Sequence, residues 1–174
     1  MSATPLLVTE RLELWRPLST DLQGLMAMVA PEVLRRHLGT MAPDVQNQFA
    51  RLLRNAGSWS LYGYGSFTVR QRERSDVVGS CGVFHSWRGF GSGMDDTAEA
   101  GWIIAIDHWG RGLAEEAMRA VLDWFDRTHG PRRIACMIEE ENTASHRLAR
   151  KLGFDAYARQ RLEDGAQVVL YERL

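Results

Sequence analysis

The sequence contains little cysteine. Two of its 174 residues are cysteines, Cys81 and Cys136, which is too few for a disulfide framework in a chain of this length. Both lie in apolar segments, where a reduced thiol behaves as a small hydrophobic core residue. The cysteines therefore favour a reducing compartment, and we expect a cytoplasmic protein.

Neither sign of charge is in clear excess. Lysine and arginine number 21, aspartate and glutamate number 22, and the formal net charge is −1. A protein that binds nucleic acid or an anionic membrane through its overall charge carries a basic excess. The balance excludes that mode of binding, so any charged partner has to be bound at a local site.

Long apolar runs, repeats and low-complexity tracts are also absent. No segment approaches the run of about 18 apolar residues that a membrane-spanning helix needs, and residues 1–10 have no basic end followed by an apolar stretch. The hydrophobic content of 45% is enough for a buried core. We expect one globular domain over residues 1–174, neither secreted nor spanning a membrane.

The sequence has no pattern typical of a metal site or of a P-loop. Its five histidines show no paired ligand spacing, and no Gly-Lys-Ser/Thr follows a glycine-rich loop at the required distance. We therefore expect no bound metal and no P-loop nucleotide site.

Hydrophobic periodicity predicts helices and strands along most of the chain. The predicted helices follow Ser19, run from Pro31 toward Leu38, follow Pro43 with Phe49, Leu52 and Leu53 facing inward, and span Leu113–Thr128 and Thr143–Leu152. The predicted strands are Leu12–Pro17, Gly63–Arg70, Val77–Phe84, Ala98–Ile106, Arg133–Ile138, Ala156–Gln160 and Gln167–Arg173. A hairpin therefore precedes a central βαβ unit, and a second strand pair closes the chain.

The sharpest local pattern is a glycine turn at residues 106–114, IDHWGRGLA, between a predicted strand and the most regular predicted helix. Gly110 and Gly112 lack the Cβ that would hold a ligand away from the backbone. The first amides of the helix are unpaired donors at the positive end of its dipole. The turn thus predicts a phosphate or pyrophosphate site, to which Arg111 would add charge. A tight connection that needs glycine only for its backbone angles is an equally good interpretation of the turn alone.

A dinucleotide-binding turn is a second interpretation of the same segment. Gly110 and Gly112 open a helix inside a βαβ unit, and Glu139 follows the next strand, where a ribose-binding acid is expected. Glu115 occupies the position of the third glycine, however, and too little chain follows to complete a doubly wound sheet. This interpretation is the weaker of the two.

Three stretches, taken with the strand order, resemble the GNAT superfamily of acetyl-CoA-dependent N-acetyltransferases. They are TERLELWRPLSTD near the start, AEAGWIIAIDHWGRGLAEEAM in the centre and EEENTASHRLARKLGFDAYA near the end. The similarity is greatest to the Rim-type branch, whose members acetylate N-terminal amines of ribosomal proteins. The superfamily's pyrophosphate loop falls here on Trp109, Gly110, Arg111, Gly112, Leu113 and Ala114. Trp109 departs from the usual Gln or Arg, but Trp-Gly-x-Gly is common in the Rim-type branch.

The resemblance implies an α+β (mixed α/β) fold: a central, mostly antiparallel twisted sheet of about six to seven strands, with a splayed parallel pair and flanking helices. It further implies that the pantetheine arm of acetyl-CoA adds beside Ile104, Ala105 and Ile106 through main-chain hydrogen bonds. Asn142 would bond the same arm, although an asparagine just before a helix is also a favoured N-cap.

Acetyl transfer to an amine needs a neutral amine, a polarised thioester carbonyl and a proton for the leaving thiol. The resemblance places a proton-accepting or water-relaying glutamate at Glu99, although a surface glutamate at a strand end is an equally good interpretation of that residue alone. It also places at Ser145 a serine that donates a proton and contacts the cofactor. A backbone N–H near Ala105 or Ile106 would stabilise the oxyanion. Other candidate acids are Asp95, Asp96 and Glu116, the last of which reads as an exposed helix position.

We therefore expect a cytoplasmic N-acetyltransferase that transfers acetyl from acetyl-CoA directly to a primary amine, a protein N-terminus or a small molecule. The alternatives are a non-catalytic CoA-binding module and the dinucleotide-binding oxidoreductase. Acceptor choice is assigned to the early helices and to the loop His85–Asp96, whose side chains show no recognisable code. Edge strands and the terminal strand pair are compatible with a homodimer.

Overall fold

An eight-stranded open sheet organises the molecule. The computed structural model describes residues 4–39 and 41–174. The strands are β1 (Leu7–Val8), β2 (Leu12–Trp15), β3 (Ser66–Gln71), β4 (Val77–Ser86), β5 (Thr97–Ile104), β6 (Ile134–Glu139), β7 (Asp155–Arg161) and β8 (Gln167–Arg173). The helices are α1 (Leu22–Val29), α2 (Glu32–Arg35), α3 (Val45–Tyr62), α4 (Leu113–His129) and α5 (Thr143–Lys151).

The strand order is β1-β2-β3-β4-β5-β6-β8-β7, and β5 and β6 form the parallel pair among otherwise antiparallel neighbours. This confirms the predicted fold class, with eight strands instead of six to seven. The added strand, β1, pairs only Leu7 and Val8 with β2, and two residues are too few for an alternating pattern. One parallel pair does not make the doubly wound sheet that the dinucleotide interpretation requires, so that interpretation is wrong.

The parallel pair separates partway along its length. β5 and β6 are in register from Ala98 opposite Ile134 to Ala100 opposite Cys136, and no pairing follows, although β5 continues to Ile104 and β6 to Glu139. Each strand keeps its other neighbour to its end, because Ile104 pairs with β4 and Glu139 pairs with β8. The sheet therefore contains an internal gap beyond Ala100, bounded by one free edge of β5 and one of β6.

Helices cover the two faces of β5 separately. Ile104 joins the main core beneath α4, whose buried positions repeat at helical spacing as Leu113, Ala117, Met118, Val121, Leu122 and Phe125. Ile103 packs instead against a second cluster built from α1, α2 and α3, because successive side chains of a strand point to opposite faces. The gap between β5 and β6 thus lies between α4 and α5 on one side and the early helices on the other.

Helix α3 differs from the prediction in the direction of its apolar side chains. Leu52 is buried, as expected, but Phe49 and Leu53 are 48% and 55% exposed. The buried face of α3 contains the polar Gln48, whose side-chain amide donates to the Ala42 carbonyl at 2.7 Å. Phe49 and Leu53 each come one residue after a buried position, Gln48 or Leu52, and so point away from the buried face.

Several predicted element ends also shift by a few residues, including two near the glycine turn and α2. Pro31 is the N-cap of α2 and not its first residue. The strand predicted to reach Ile106 ends at Ile104, because a 3-10 turn begins at Ile106. Among the helices of residues 4–39 and 41–174, none combines the length and apolarity needed to cross a bilayer.

Candidate functional site

A cavity of about 660 Å³ opens beside the free edge of β5, between the α2 segment, the glycine turn and the start of α5. Its lining includes eight of the residues predicted to bind the cofactor: Ile104, Trp109, Gly110, Gly112, Leu113, Ala114, Asn142 and Ser145. Three predicted residues, Ala105, Ile106 and Arg111, do not line it. The fold thus brings together segments that lie far apart in the chain.

The glycine turn presents a row of backbone amides without acceptors. Gly110 and Gly112 have φ of 71° and 74°, in the left-handed region that favours glycine. Within the described residues, no N–H from Gly110 to Glu115 has a hydrogen-bond acceptor. A Cβ built at Gly110 would meet nothing within 4 Å, so there is open space in front of this turn. Unpaired amides at the N-terminus of a 17-residue helix form a site suited to a pyrophosphate.

Trp109 and Arg111 hold this turn in place. The indole Nε1 of Trp109 donates to the Ile104 carbonyl at 2.7 Å and so ties the turn to the end of β5. The Arg111 carbonyl accepts from the Arg11 guanidinium at 2.9 Å, while the Arg111 residue is exposed. Because the Arg111 side chain lies outside the cavity, its predicted contribution of charge has no contact in this structure to support it.

The free edge of β5 offers main-chain groups to an extended ligand. Residues 101–104 pair with β4 on one side and have no strand partner on the side of β6. An extended chain can add to such an edge by strand-like hydrogen bonding. The Ala105 N–H, predicted as an oxyanion donor, instead donates to the Val78 carbonyl at 2.9 Å. Because this N–H is already bonded, Ala105 does not supply the free donor expected of it. Ala105 and Ile106 pack against the cluster built from α1, α2 and α3.

Asn142 caps α5. Its Oδ1 accepts from the Ser145 N–H at 3.1 Å, which is the N-cap interaction. Within the described residues its Nδ2 has no acceptor, so the cap leaves the amide donor available to a ligand carbonyl in the cavity. Asn142 can therefore cap α5 through Oδ1 and bind a ligand through Nδ2 at the same time.

Ser145 contacts a residue that the sequence interpretation did not identify. The indole Nε1 of Trp102, on the unpaired part of β5, donates to Oγ of Ser145 at 3.2 Å. The bond spans the gap in the sheet and occupies one lone pair of Oγ, which leaves the hydroxyl proton free to donate elsewhere. The sequence alone does not indicate this bond, because Trp102, three residues after Glu99, looks like an ordinary aromatic residue of a strand.

Glu99 is neither a surface residue nor free. It is 2% exposed, and its carboxylate oxygens accept from Nε and Nη2 of Arg88 at 2.9 and 2.5 Å. Burial lowers the pKa of Arg88, but the hydrogen bonds and charge of Glu99 outweigh it, so that the pKa of Arg88 is raised. The pair attaches the loop 87–96 to β5.

The other candidate acids each have a local partner. Asp95 accepts from the N–H groups of Gly89 and Gly91, and Asp96 contacts His85 Nε2 at 2.9 Å. Glu116 is not the simple exposed position expected, since it accepts from the Thr9 hydroxyl at 2.6 Å and from Arg11. Burial raises the pKa of Glu116, but these hydrogen bonds outweigh it and lower the pKa overall.

A second pair of ionisable groups lies at the far end of β6. Nδ1 of His37, just after α2, is hydrogen-bonded to Oε2 of Glu139, the last residue of β6. The His37 and Glu139 side chains are 26% and 24% exposed, and His37 lines the cavity. Glu139 had a predicted role only in the dinucleotide interpretation, and His37 had none.

The two cysteines are buried thiols and not nucleophiles. Burial raises the pKa of Cys81 to about 12. Burial and the charge of Glu99 also raise the pKa of Cys136 far above its usual range. The prediction that both are core residues is confirmed.

Known proteins share both the sequence pattern and the fold. A family model described as an acetyltransferase (GNAT) domain matches residues 11–155. An uncharacterized N-acetyltransferase, p20, of Bacillus licheniformis is 30% identical over 150 residues, which are 85% of this chain and 81% of that protein.

Solved structures extend the comparison. A GNAT-family acetyltransferase from Bordetella pertussis is 34% identical with a TM-score of 0.86, covering 97% of this chain and 98% of that one. A ribosomal L7/L12 α-N-protein acetyltransferase in complex with coenzyme A is 16% identical with a TM-score of 0.79, covering 98% and 97%. The second likeness shows the fold alone.

Proposed function

This chain belongs to the GNAT acetyltransferase family, and from that premise we propose that it transfers the acetyl group of acetyl-CoA directly to a primary amine. A protein N-terminal amine of the ribosomal type is the first candidate acceptor, and a small-molecule amine is the second. We further propose that residues 1–174 form one catalytic domain and that it works in the cytoplasm, where buried thiols such as Cys81 and Cys136 stay reduced.

The observation that carries the proposal is the position of the amide cradle beside the gap in the sheet. The unpaired amides of Gly110–Glu115 suit a pyrophosphate, and the free edge of residues 101–104 suits the extended, amide-containing arm of coenzyme A. Asn142 Nδ2 is placed to donate to a carbonyl of that arm. The amide cradle and the free edge of β5 line the same cavity, so one elongated ligand can bind to both.

Ser145 is proposed to supply the proton that the departing thiolate takes up. Trp102 holds its Oγ from the β5 side and Asn142 bonds its backbone N–H, which together fix the hydroxyl at the gap. A thiol has an ordinary pKa of about 8.5, so a hydroxyl donor at this point assists the departure without being indispensable.

The resemblance suggests Glu99 as the base, but its pairing with Arg88 supports a positioning role instead. Both of its oxygens are engaged by Arg88, so a proton could reach it only after that pair rearranges or through water. We assign Glu99 the role of holding Arg88, and with it the loop 87–96 that is predicted to contact the acceptor.

A thermal-shift and thiol-release experiment tests the proposed function. Acetyl-CoA and coenzyme A should raise the melting temperature, whereas NAD and NADP should not, because binding to the folded state alone stabilises it. A panel of peptides with free N-termini and of small amines should then contain at least one acceptor that releases thiol from acetyl-CoA. Absence of any shift with saturating acetyl-CoA contradicts the proposal. A shift without thiol release on any amine favours a non-catalytic CoA-binding module.

A further inference from the structure

We propose that His37 accepts the proton of the incoming amine and that Glu139 positions its imidazole. The inference rests on the proposed acetyl transfer and adds to it the group that makes the amine nucleophilic. An amine is mostly protonated at neutral pH, with an ordinary pKa of about 8 for an α-amino group and about 10 for a lysine-like one, so a proton acceptor at its entry point accelerates the reaction.

The pair of His37 and Glu139 lies at the edge of the gap in the sheet. Glu139 ends β6 beyond Cys136, the last residue of β6 paired with β5, and therefore lies on the edge of the gap. His37 comes from the segment after α2 and lines the cavity that also contains Ser145 and Trp102. The bond between residues 102 positions apart thus joins the early helices to the gap where the acetyl group is expected.

The two side chains of the pair together have the chemistry of an oriented base. A carboxylate next to Nδ1 of a histidine favours a proton on that nitrogen, which leaves Nε2 as the proton acceptor. Among the hydrogen bonds of residues 4–39 and 41–174, none involves Nε2 of His37. Glu139 therefore orients the ring, and Nε2 stays available to a bound amine.

His37 is more accessible than Glu99. Glu99 is 2% exposed and both of its oxygens bind Arg88, whereas about a quarter of the His37 side chain is accessible. A group that exchanges protons with an acceptor and then with solvent has to reach both. His37 lines the cavity and is accessible, whereas Glu99 is buried and does not line the cavity.

The proposed step conserves protons. The ammonium acceptor gives one proton to Nε2 of His37, and the neutral amine forms the C–N bond with the acetyl carbonyl carbon. The C–S bond breaks, and the departing thiolate takes the hydroxyl proton of Ser145. The nitrogen loses its second proton as the amide forms, and that proton restores the Ser145 hydroxyl through water. His37 returns its proton to solvent, so each turnover yields one amide, one thiol and one proton.

Other charged groups also lie around the cavity near His37. Arg36 precedes it in the chain, and the same cavity is lined by His108, Glu115, Glu141, Arg147 and Lys151. Of these, Lys151 and Glu115 bond each other at 2.9 Å. Among the described residues, Glu139 is the one that forms a hydrogen bond or ion pair with the imidazole, so the effect of changing it should be separable from that of the others.

The test compares His37→Asn, Glu139→Gln, Glu99→Gln and the matched control Glu140→Gln. Asparagine reproduces the Nδ1 donor toward Glu139 and removes Nε2. Glu140 is the neighbour of Glu139, but its pair with Arg159 lies at the surface. Each variant is assayed for kcat/KM against pH with saturating acetyl-CoA and one peptide with a free N-terminal amine, or the small amine that releases most thiol with the wild type.

We expect His37→Asn to lower kcat/KM about 100-fold near neutral pH and less at higher pH, where the neutral amine is more abundant. Glu139→Gln should lower it about tenfold and move the acidic limb of the profile, whereas Glu140→Gln should behave as the wild type. The stabilisation by acetyl-CoA should be unchanged in all four, which separates a loss of base from a loss of fold or of cofactor binding.

A wild-type pH profile for His37→Asn, with turnover intact, overturns the inference and leaves the proposed function standing. The same holds if Glu99→Gln alone changes the acidic limb. If the wild-type enzyme binds acetyl-CoA and releases no thiol with any amine, the proposed function fails and the inference fails with it.

Discussion

The indole Nε1 of Trp102 and the Oγ of Ser145 are 3.2 Å apart, and their hydrogen bond crosses the gap between β5 and β6. Trp102 belongs to the part of β5 that has lost its β6 partner, and Ser145 lies in the first turn of α5. The two residues are 43 positions apart in the chain. Their contact fixes the hydroxyl beside the free edge of β5, where we propose that the thioester sulfur lies.

Replacing Ser145 by alanine should lower kcat about 10- to 100-fold while leaving the affinity for acetyl-CoA within about twofold, because a general acid acts in the transition state. Trp102→Phe should give a smaller loss, since it removes the orienting bond and keeps the ring. Kinetics with saturating acetyl-CoA and calorimetric titration of acetyl-CoA measure the two effects. Unchanged kcat with chemistry rate-limiting would remove Ser145 as the acid.

Replacing Gly112 by alanine should weaken acetyl-CoA binding about tenfold, because a residue with a Cβ resists a φ of 74° and would rotate the amides of the cradle. The strain should also cost about 1–2 kcal/mol of stability. Gly165→Ala is the matched control: Gly165 has a φ of 88° in the turn between β7 and β8, far from the cradle in the chain. We expect the two variants to lose similar stability and Gly112→Ala alone to lose affinity for acetyl-CoA. Equal affinities of the two variants for acetyl-CoA would contradict the proposal that these amides bind the pyrophosphate.

Replacing Glu99 by glutamine should reduce the free energy of unfolding by about 1–3 kcal/mol, since it weakens charge-assisted bonds to Arg88 at a buried site. The pH profile of kcat/KM should keep its shape, because Glu99 holds the loop 87–96 and does not take the proton. Denaturant unfolding and pH-rate kinetics check the two parts. A loss of rate confined to low pH would return the role of base to Glu99.

Stability should depend on pH through Glu116. The hydrogen bonds from Thr9 and Arg11 lower its pKa in the folded state from the ordinary 4.5, although burial alone would raise it. Between the pKa of Glu116 in the folded protein and its ordinary pKa of 4.5 in the unfolded chain, the unfolded chain binds more protons than the folded one. The stabilisation is therefore present above about pH 4.5 and is lost as the pH falls through the lowered pKa of the folded state.

Denaturant unfolding of Glu116→Gln against Glu163→Gln, an exposed control in the β7–β8 turn, measures this contribution at two pH values. The difference between the variants should be present at pH 7 and much smaller near pH 3. A difference that does not change with pH would show that Glu116 stabilises the protein by packing alone.

Local patterns in the sequence were sufficient to predict most of the helices and strands, whereas the sheet with its splayed parallel pair was predicted from the family resemblance. The buried stripe of α4 repeats at helical spacing, and the glycine turn has the backbone angles that its residues indicate. Phe49 and Leu53 were misplaced because α3 buries the polar Gln48, and hydrophobicity alone assigns the wrong face.

The contacts across the site were not predictable in the same way. His37 and Glu139 are 102 residues apart, and neither lies in a periodic pattern that points to the other. Arg88 belongs to a glycine-rich loop without regular structure, so nothing local indicates that it binds Glu99. Such pairs arise from the tertiary path of the chain. The sequence therefore indicated most of the segments that line the cavity, whereas the proposed proton acceptor, His37, rests on a contact that only the structure shows.

The most direct test of the central claim is the mass of the acceptor after incubation with acetyl-CoA and the wild-type enzyme. The account predicts that a free-amine peptide or small amine gains one acetyl group on nitrogen, with one thiol released for each amide formed. An acceptor whose mass stays unchanged across the whole amine panel, while acetyl-CoA stabilises the protein, would contradict it.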